Sequence, residues 1–463
     1  MNFLAPLLGL LILCFSVLLI IRKANPYAVL LFSGLLMLLL AWCLELNVLV
    51  VKKTTGSQLL DFFRLIKEAF AKTNAGVGLM IMSIGGFVAY IKHIGASSAL
   101  VNLAIKPLSL FKKKPQLLAV MVIPIGQLLF ICIPSAAGLG LLLMASVFPI
   151  LIKLGVSRIS AASVISACTA FGIGPASAIT ARASEITSQP VISYFIESQI
   201  PLVYILSMIL TVSYYFVNSY FDKKKPSSSY IQDEILFSDE QMLDESVEKV
   251  PKLYAIIPVL PLLFLIVFSN LFDFFNDPIL LDTTTSMFMS LIIAMLFELV
   301  RTQSIFDVFD SLTVFWNGMG NIFKTVVTLI IVADVFSKGL LALGVIDALV
   351  FVSQNIGFGV VGIAVIMTLL IFISSIIMGS GNASFFAFAP LSSKISDTYE
   401  VSSSLFILPM NLSASMGRTV SPISGVLIAV SELAGVSPID LVKRNAIPFG
   451  INIFMLLILH FIL

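Results

Sequence analysis

Charged residues in this sequence are confined to short stretches that separate long, uncharged and largely apolar runs. Only 11% of the residues are charged and 59% are hydrophobic, whereas soluble domains carry roughly 25% charged residues. An α-helix needs about 20 consecutive apolar residues to cross the hydrocarbon core of a bilayer. The pattern therefore predicts an all-α polytopic membrane protein, and it excludes a soluble enzyme, a disordered chain and a nucleic-acid-binding protein.

Several of the uncharged runs have the length and composition of membrane-spanning helices. The first run lacks the basic start and the cleavage site of a signal peptide, so we interpret it as a retained span. The segment 45–73 carries apolar side chains at helical spacing among charged ones, which predicts an interfacial amphipathic helix. The predicted spans are residues 1–21, 24–44, 73–91, 159–181, 198–221, 253–272, 283–300, 322–341, 401–431 and 445–463.

Two runs, 116–152 and 348–393, contain no Asp, Glu, Lys or Arg and are too long for a single crossing. Small and helix-breaking residues interrupt them at 134–140 and 379–383. We predict two re-entrant hairpins, 116–152 and 357–393. Their tips must line a cavity enclosed by protein, because unpaired backbone groups cannot face lipid. The alternative is that each run forms two ordinary spans joined by a tight turn.

The two halves of the chain match each other in several short motifs, which indicates an internal repeat. The clearest match places Gly138, Gly140, Pro149 and Lys153 on Gly379, Gly381, Pro390 and Lys394.

The repeat predicts units 1–221 and 253–463, joined by a flexible cytoplasmic linker, 222–252. Each unit would contain five spans, one hairpin and one broken helix, 159–181 in the first and 401–431 in the second. Five crossings are an odd number, so the second unit must be inverted. With both termini in the periplasm, most of the 27 Lys and Arg residues fall on the cytoplasmic side.

Inverted repeats with broken helices are typical of transporters, whose substrate binds near the membrane midplane. Helix N-termini suit an anion, and backbone carbonyls with hydroxyl groups suit Na⁺. Arg418 is the first candidate because an intramembrane arginine is costly and its planar fork matches a carboxylate. The other substrate-binding candidates are Ser135, Ser380, Gly381, Asn382, Thr419, Ser421 and Pro422, and the candidates for a coupling cation are Thr169, Ser177 and Ser424.

No metal or other cofactor is expected apart from a coupling Na⁺ or H⁺, since the cysteines lie in apolar stretches without metal-site spacing. Arg182 and Glu185 are expected to pair in an outer loop, and Asp334 and Lys338 are expected near the end of a span.

Two motifs in particular resemble the anaerobic C4-dicarboxylate carriers of the DcuC family. They are Gly379-Ser380-Gly381-Asn382-Ala383 and Gly417-Arg418-Thr419-Val420-Ser421-Pro422. The resemblance extends over essentially the whole chain and implies an inner-membrane carrier of succinate, fumarate or similar dianions in anaerobic bacteria. It also implies an elevator-like cycle, a homodimer, and a substrate site at the tips and the second motif. The chain departs from the family at Ala137, at Asp334 and in lacking an acidic residue between Ser177 and Glu185.

We therefore predict a secondary active transporter of C4-dicarboxylates, working by succinate efflux, exchange or cation-coupled symport. The alternative is a carrier of the same fold for another organic anion or an amino acid. An intramembrane enzyme is disfavoured because no span interior holds two titratable groups, and an ATP-driven pump because there is no Gly-rich phosphate-binding loop. A passive channel stays open as a further alternative.

Overall fold

A computed structural model describes residues 4–22, 24–46, 51, 54–107, 114–224, 250–269, 279, 281–356 and 359–462 of the 463. The secondary structure in these ranges is helical. The helices of the first half are α1 (Leu4–Ile21), α2 (Pro26–Cys43), α3 (Gln58–Ala75), α4 (Val77–His93), α5 (Ala96–Ala104), α6 (Pro115–Cys132), α7 (Ala136–Ser146), α8 (Phe148–Lys153), α9 (Arg158–Ala167), α10 (Ala178–Thr187), α11 (Val191–Ser193) and α12 (Ile200–Lys224), with a π-helical segment, Tyr194–Gln199, before α12.

The second half also contains long, short and interrupted helices. A 3₁₀ segment, Lys252–Val259, opens it, and a π-helical segment, Phe323–Val327, joins two of its helices. The helices are α13 (Leu260–Val267), α14 (Thr283–Thr302), α15 (Ile305–Ile322), α16 (Thr328–Ala342), α17 (Val345–Ile356), α18 (Gly359–Met378), α19 (Gly381–Phe388), α20 (Leu391–Tyr399), α21 (Ser404–Thr419), α22 (Gly425–Ala434) and α23 (Pro438–Ile462).

Within the described ranges, eight helices are long and apolar enough to cross a membrane, or up to nine if the bent pair α3–α4 counts as a span. Three of the eight, Pro115–Cys132, Ala136–Lys153 and Gly359–Met378, are arms of the predicted hairpins, so the eight include only five of the ten predicted spans. The two broken helices explain part of the difference, because neither half of each is long enough to cross alone. The segment Ala136–Lys153, predicted as the second arm of a hairpin, is itself of spanning length.

Helix α3 is the predicted amphipathic helix, and its apolar face packs against protein. Phe62, Leu65 and Ala69 are buried in a cluster with Leu38 of α2 and Val335 of α16. A bend of 51° separates α3 from α4. Leu59, Leu60 and Phe63 remain exposed, so the neighbouring helices cover only part of the apolar surface of α3.

The predicted linker 222–252 falls mostly outside the described residues. Its first three positions continue α12 to Lys224, and its last begins the 3₁₀ segment at Lys252. An ion pair near the end of α12, between Asp222 Oδ1 and Arg444 Nη1 of α23 at 3.1 Å, joins the last helices of the two halves.

Fourteen of the described helices form two groups that position the candidate site. The frame helices are α2, α3, α4, α14, α15 and α16, in which α2 packs on α16 and α4 packs on α14 and α15. The central helices are α6, α7, α9, α10, α18, α19, α21 and α22, in which α18 packs on α21, α6 on α9, α7 on α22 and α10 on α19. The two groups touch where α16 meets α19 and where α4 meets α10.

Candidate functional site

The two predicted hairpin tips have the same local design, in which a serine begins a short helix. Ser135 precedes α7, and its hydroxyl accepts a hydrogen bond from the Gly138 amide at 3.2 Å. Ser380 precedes α19, and its hydroxyl accepts one from the Ala383 amide at 3.3 Å. Each serine thus satisfies a backbone donor that the start of a helix would otherwise leave free. The other free amides at each helix start carry partial positive charge.

Glycines allow the second tip to pack closely against the second broken helix. Gly379 has φ +67°, in the left-handed region that favours glycine. A Cβ atom added to Gly381 would lie 2.7 Å from the Ala414 carbonyl oxygen of α21, so only glycine fits there. The Ser421 hydroxyl, just beyond α21, donates to the Ile376 carbonyl oxygen at 2.6 Å. The candidates Gly381 and Ser421 therefore hold the tip and the broken helix together.

Both tips reach one cavity of about 420 Å³, which we call the tip cavity. It lies between the frame helices α4 and α15 and the first tip, and Asn382 of the second tip also lines it. Its volume is in the range of small-molecule sites. The polar side chains among its described lining residues are Ser135, Asn382, Asn321, Ser97 and Lys92. Neutral donors and one cation in an otherwise apolar cavity suit a small anion.

Arg418, near the end of α21, lies apart from the tip cavity in a narrow recess of its own. Its Nη2 donates to the Thr169 carbonyl oxygen at 2.5 Å, and its guanidinium carbon lies 6.0 Å from the centre of the Phe130 ring. In the described part of the chain no carboxylate forms an ion pair with Arg418. The half-buried guanidinium therefore keeps donors that a guest carboxylate can use.

The remaining candidates lie in the recess, at the break of the first broken helix and on the protein surface. Thr169, Thr419 and Ser424 line the recess beside Arg418. A cation bound there would be repelled by the guanidinium, so the recess favours an anionic group over Na⁺. Ser177 lies beside the first broken helix and donates to the Gly172 carbonyl oxygen at 3.1 Å. Pro422 is exposed.

Arg182 and Glu185 lie on helix α10, so the expectation of an outer loop is wrong. The Arg182 side chain is 6% exposed and forms ion pairs with Glu185 and with Asp334 of α16. Burial is tolerated because the two carboxylates neutralise the guanidinium. We call these three residues the α10–α16 ion cluster. It joins the central helices to the frame helices.

Two buried amides, Gln199 and Asn445, link the broken helices, and no sequence motif singled them out. Gln199 accepts a hydrogen bond from the Gly174 amide at 3.2 Å and donates to Asn411 Oδ1 of α21 at 2.8 Å. Asn445 donates to the Thr419 carbonyl oxygen and to the Ser166 hydroxyl of α9, both at 3.0 Å. Gln199, in the first half, therefore bonds the break of its own half and helix α21, which precedes the break of the second half. Asn445, in the second half, bonds the end of α21 at its own break and helix α9, which precedes the break of the first half.

Sequence analysis also missed Lys92 and Asn321, which line the tip cavity. Their positions near helix ends did not mark them as functional residues, because polar residues are common at the ends of membrane spans. No group of three or more His, Cys, Asp or Glu residues that could hold a metal ion occurs among the described residues.

Comparison with solved structures identifies the fold. The structure of Neisseria gonorrhoeae MtrF, described as illuminating a class of antimetabolite efflux pumps, is similar with a TM-score of 0.59 and 14% sequence identity, and the match covers 94% of this chain and 95% of that one. Together with eight or more apolar helices, this fold defines a multi-pass membrane protein.

Sequence comparison identifies the family. The model of DcuC, the C4-dicarboxylate anaerobic carrier family, matches residues 4–463, and the chain belongs to this family of transporters, not to a family of enzymes. A Vibrio cholerae protein named "Probable anaerobic C4-dicarboxylate transporter DcuC" is 32% identical over 95% of this chain and 93% of its own length. The Escherichia coli K12 protein named anaerobic C4-dicarboxylate transporter DcuC is 29% identical over 99% and 96%. The prediction of the family is confirmed.

Proposed function

We propose that the protein is a secondary active carrier of C4-dicarboxylates such as succinate or fumarate across the bacterial inner membrane. The observation that carries the proposal is the meeting of the two tips, through Ser135 and Asn382, at one cavity that also contains a lysine. The relatives named C4-dicarboxylate transporters cover nearly the whole chain. A C4-dicarboxylate dianion fits a cavity of about 420 Å³ whose wall contains hydrogen-bond donors and one cation.

The proposed architecture is a pair of inverted repeats, and the hydrogen bonds of the broken helices support it. The pairs Ser135 and Ser380, Ser166 and Asn411, and Gly174 and Thr419 are separated by the same number of positions in the sequence. This separation is four positions longer than that of the glycines matched in the sequence, so the capping serines, and not those glycines, are equivalent at the tips. The first pair begins the two tip helices. Gln199 bonds one member of each of the other two pairs, Gly174 and Asn411. Asn445 bonds the remaining two members, Ser166 and Thr419. A two-fold relation between the halves accounts for this pattern.

The two halves differ in one respect, which indicates a cavity accessible from one side. Helix α19 packs on α16, whereas the tip cavity separates the equivalent α7 from α4. Ala178 of α10 and Val326, just before α16, line the cavity. The α10–α16 ion cluster lies one to two turns further along both helices, at Arg182 and Asp334. It would close the passage at the end opposite the opening.

An elevator-like cycle follows if the central helices move against the frame helices and carry the tips from one face of the membrane to the other. The proposed orientation, with both termini periplasmic, places the cavity opening on the cytoplasmic side. In such a cycle, one carboxylate of the guest would replace the Thr169 carbonyl oxygen as the partner of Arg418. Coupling to Na⁺, to H⁺ or to exchange, and assembly as a homodimer in the membrane, are parts of the same proposal.

Uptake by proteoliposomes with a panel of competitors tests the proposal. Wild-type protein should take up labelled succinate, and unlabelled fumarate should compete, while monocarboxylates and amino acids should not. Independent variation of Na⁺ and pH would identify the coupling ion. Uptake of a monocarboxylate or an amino acid in preference to succinate would show a carrier for another substrate.

A further inference from the structure

Lys92 is exposed and lines the tip cavity at the end of one continuous face of α4. Ile81, Gly85, Val88 and Lys92 all line the cavity, and their spacing of three to four residues places them on one side of the helix. Gly85 has no side chain, and a Cβ atom added there would collide with Ile322 of α15, so the two helices approach each other closely at this point of the wall. The aliphatic stem of an exposed lysine can lie along such a face while its ammonium group stays in water.

Lys92 is also the one charged side chain among the described residues that line the cavity. No carboxylate forms an ion pair with it in the described ranges. Walls of low polarity focus the field of a single charge into a cleft and raise the local concentration of counter-ions. The potential in the cavity is therefore set by Lys92, with the helix start at Ser135 adding to it.

We propose that Lys92 attracts and first contacts one carboxylate of the guest, so that it sets the preference for dianions in the state with the cavity open. This inference rests on the proposed function and adds a specificity-determining residue on the frame. An ammonium group is a compact charge with rotatable donors, which suits transient capture better than fixed, bidentate holding. Asn382 and Ser135 on the tips then offer the neutral donors to the captured guest. Because Lys92 belongs to a frame helix, it would stay behind when the tips move.

The first experiment measures initial rates of succinate transport in proteoliposomes for wild-type protein, Lys92→Gln and Lys92→Arg. Removal of the charge should raise KM about tenfold with little change in Vmax, whereas the arginine variant should stay near wild type. Lys106→Gln is the matched control, because Lys106 is exposed at the end of α5 and does not line the cavity. The wild-type transport rate at low succinate should fall as ionic strength rises, and the rate of Lys92→Gln should fall less steeply over the same range. Equal KM and equal salt dependence in wild type and Lys92→Gln would overturn the inference.

A second experiment does not depend on the identity of the substrate. Asn321→Cys places a thiol in the same cavity, in a protein with the accessible native cysteines, Cys14, Cys43 and Cys132, replaced by alanine. An anionic methanethiosulfonate reagent should modify this thiol about tenfold faster than a cationic reagent of similar size, and Lys92→Gln should remove the preference. An unchanged preference would overturn the inference. A wild-type protein that transports no C4-dicarboxylate would contradict the proposed function, while the thiol measurement would still decide the role of Lys92.

Discussion

At the scale of single residues, the candidate site combines the guanidinium of Arg418, in its recess, with neutral hydrogen-bond donors that line the tip cavity. Arg418 is held by one carbonyl oxygen and an aromatic face, so its remaining donors have no charged partner among the described residues. Asn382 instead lies at the cavity, where its amide can reach a guest in the state with the cavity open. The two residues should therefore differ in what their removal does to transport.

Arg418→Ala should weaken succinate transport strongly. A hydrogen bond to a charged group contributes about 1.5–3 kcal/mol, which corresponds to a loss of about tenfold to 100-fold in kcat/KM. Uptake kinetics in proteoliposomes measure the loss, and the elution profile in detergent checks folding. Arg64→Ala, at a half-buried ion pair of α3 away from the tip cavity, is the control and should transport normally. Normal transport by the Arg418 variant would remove this residue from the site.

Asn382→Ala should raise the KM for succinate by about twofold to tenfold, because a neutral hydrogen bond contributes about 0.5–1.5 kcal/mol. Vmax should change less than KM. The matched control is Asn355→Ala, since Asn355 is exposed at the end of α17, where its side chain donates to the Phe351 carbonyl oxygen. An unchanged KM in the Asn382 variant would argue against contact between the second tip and the guest.

At the scale of helices, buried polar contacts fix the broken helices and join the central helices to the frame. The amides of Gln199 and Asn445 satisfy backbone groups that the breaks leave without helical partners. The α10–α16 ion cluster holds a central helix against a frame helix. Loss of these contacts should therefore lower stability, in addition to any effect on transport.

Asn445→Ala should destabilise the folded protein. Asn445 is fully buried, and its side chain bonds the Tyr214 hydroxyl, the Ser166 hydroxyl and the Thr419 carbonyl oxygen. Each buried group left unsatisfied costs about 1–3 kcal/mol. Thermal unfolding in detergent should show a lower Tm than wild type, while Ser219→Ala, which removes an exposed hydrogen bond to Gln116, should not. Equal melting of both variants would contradict this role.

Asp334→Asn should also lower the melting temperature, because it leaves the buried Arg182 with Glu185 as its one carboxylate partner in the described structure. Removal of one partner from a buried ion pair typically costs about 3–5 kcal/mol. Asp440→Asn provides the comparison, since its pair with Lys443 is exposed and such pairs contribute about 0–1 kcal/mol. A Tm as high as that of wild type in the Asp334 variant would show that the cluster is not a stabilising contact.

At the scale of the whole molecule, the sequence predicts what depends on local signals. The helix breaks at Ser135 and Ser380 can be predicted from the sequence, because small residues, glycine and a capping serine interrupt the uncharged runs there. That the chain is a membrane protein can also be predicted, because a bilayer excludes charged residues over the length of a membrane span. These features need no knowledge of how the halves pack.

Features that depend on contact between distant parts of the chain were not predictable in this way. The sequence predicts Arg182 in a loop because a charge ordinarily ends a membrane segment, yet Asp334, far away in sequence, pairs with it where α10 meets α16. Lys92 and Asn321 reach the first tip only through the packing of α4 and α15. Arg418 lies in a recess apart from the cavity, a separation that motif spacing cannot reveal.

Counterflow of labelled succinate in proteoliposomes tests the central claim most directly. Vesicles loaded with unlabelled succinate are diluted into a trace of labelled succinate, with wild-type protein and with Arg418→Ala. A carrier with a saturable site that faces one side at a time should accumulate label transiently above equilibrium, and Arg418→Ala should accumulate it about tenfold to 100-fold more slowly. Simple equilibration of label without an overshoot would indicate a passive pore, and no entry of label at all would contradict a succinate carrier.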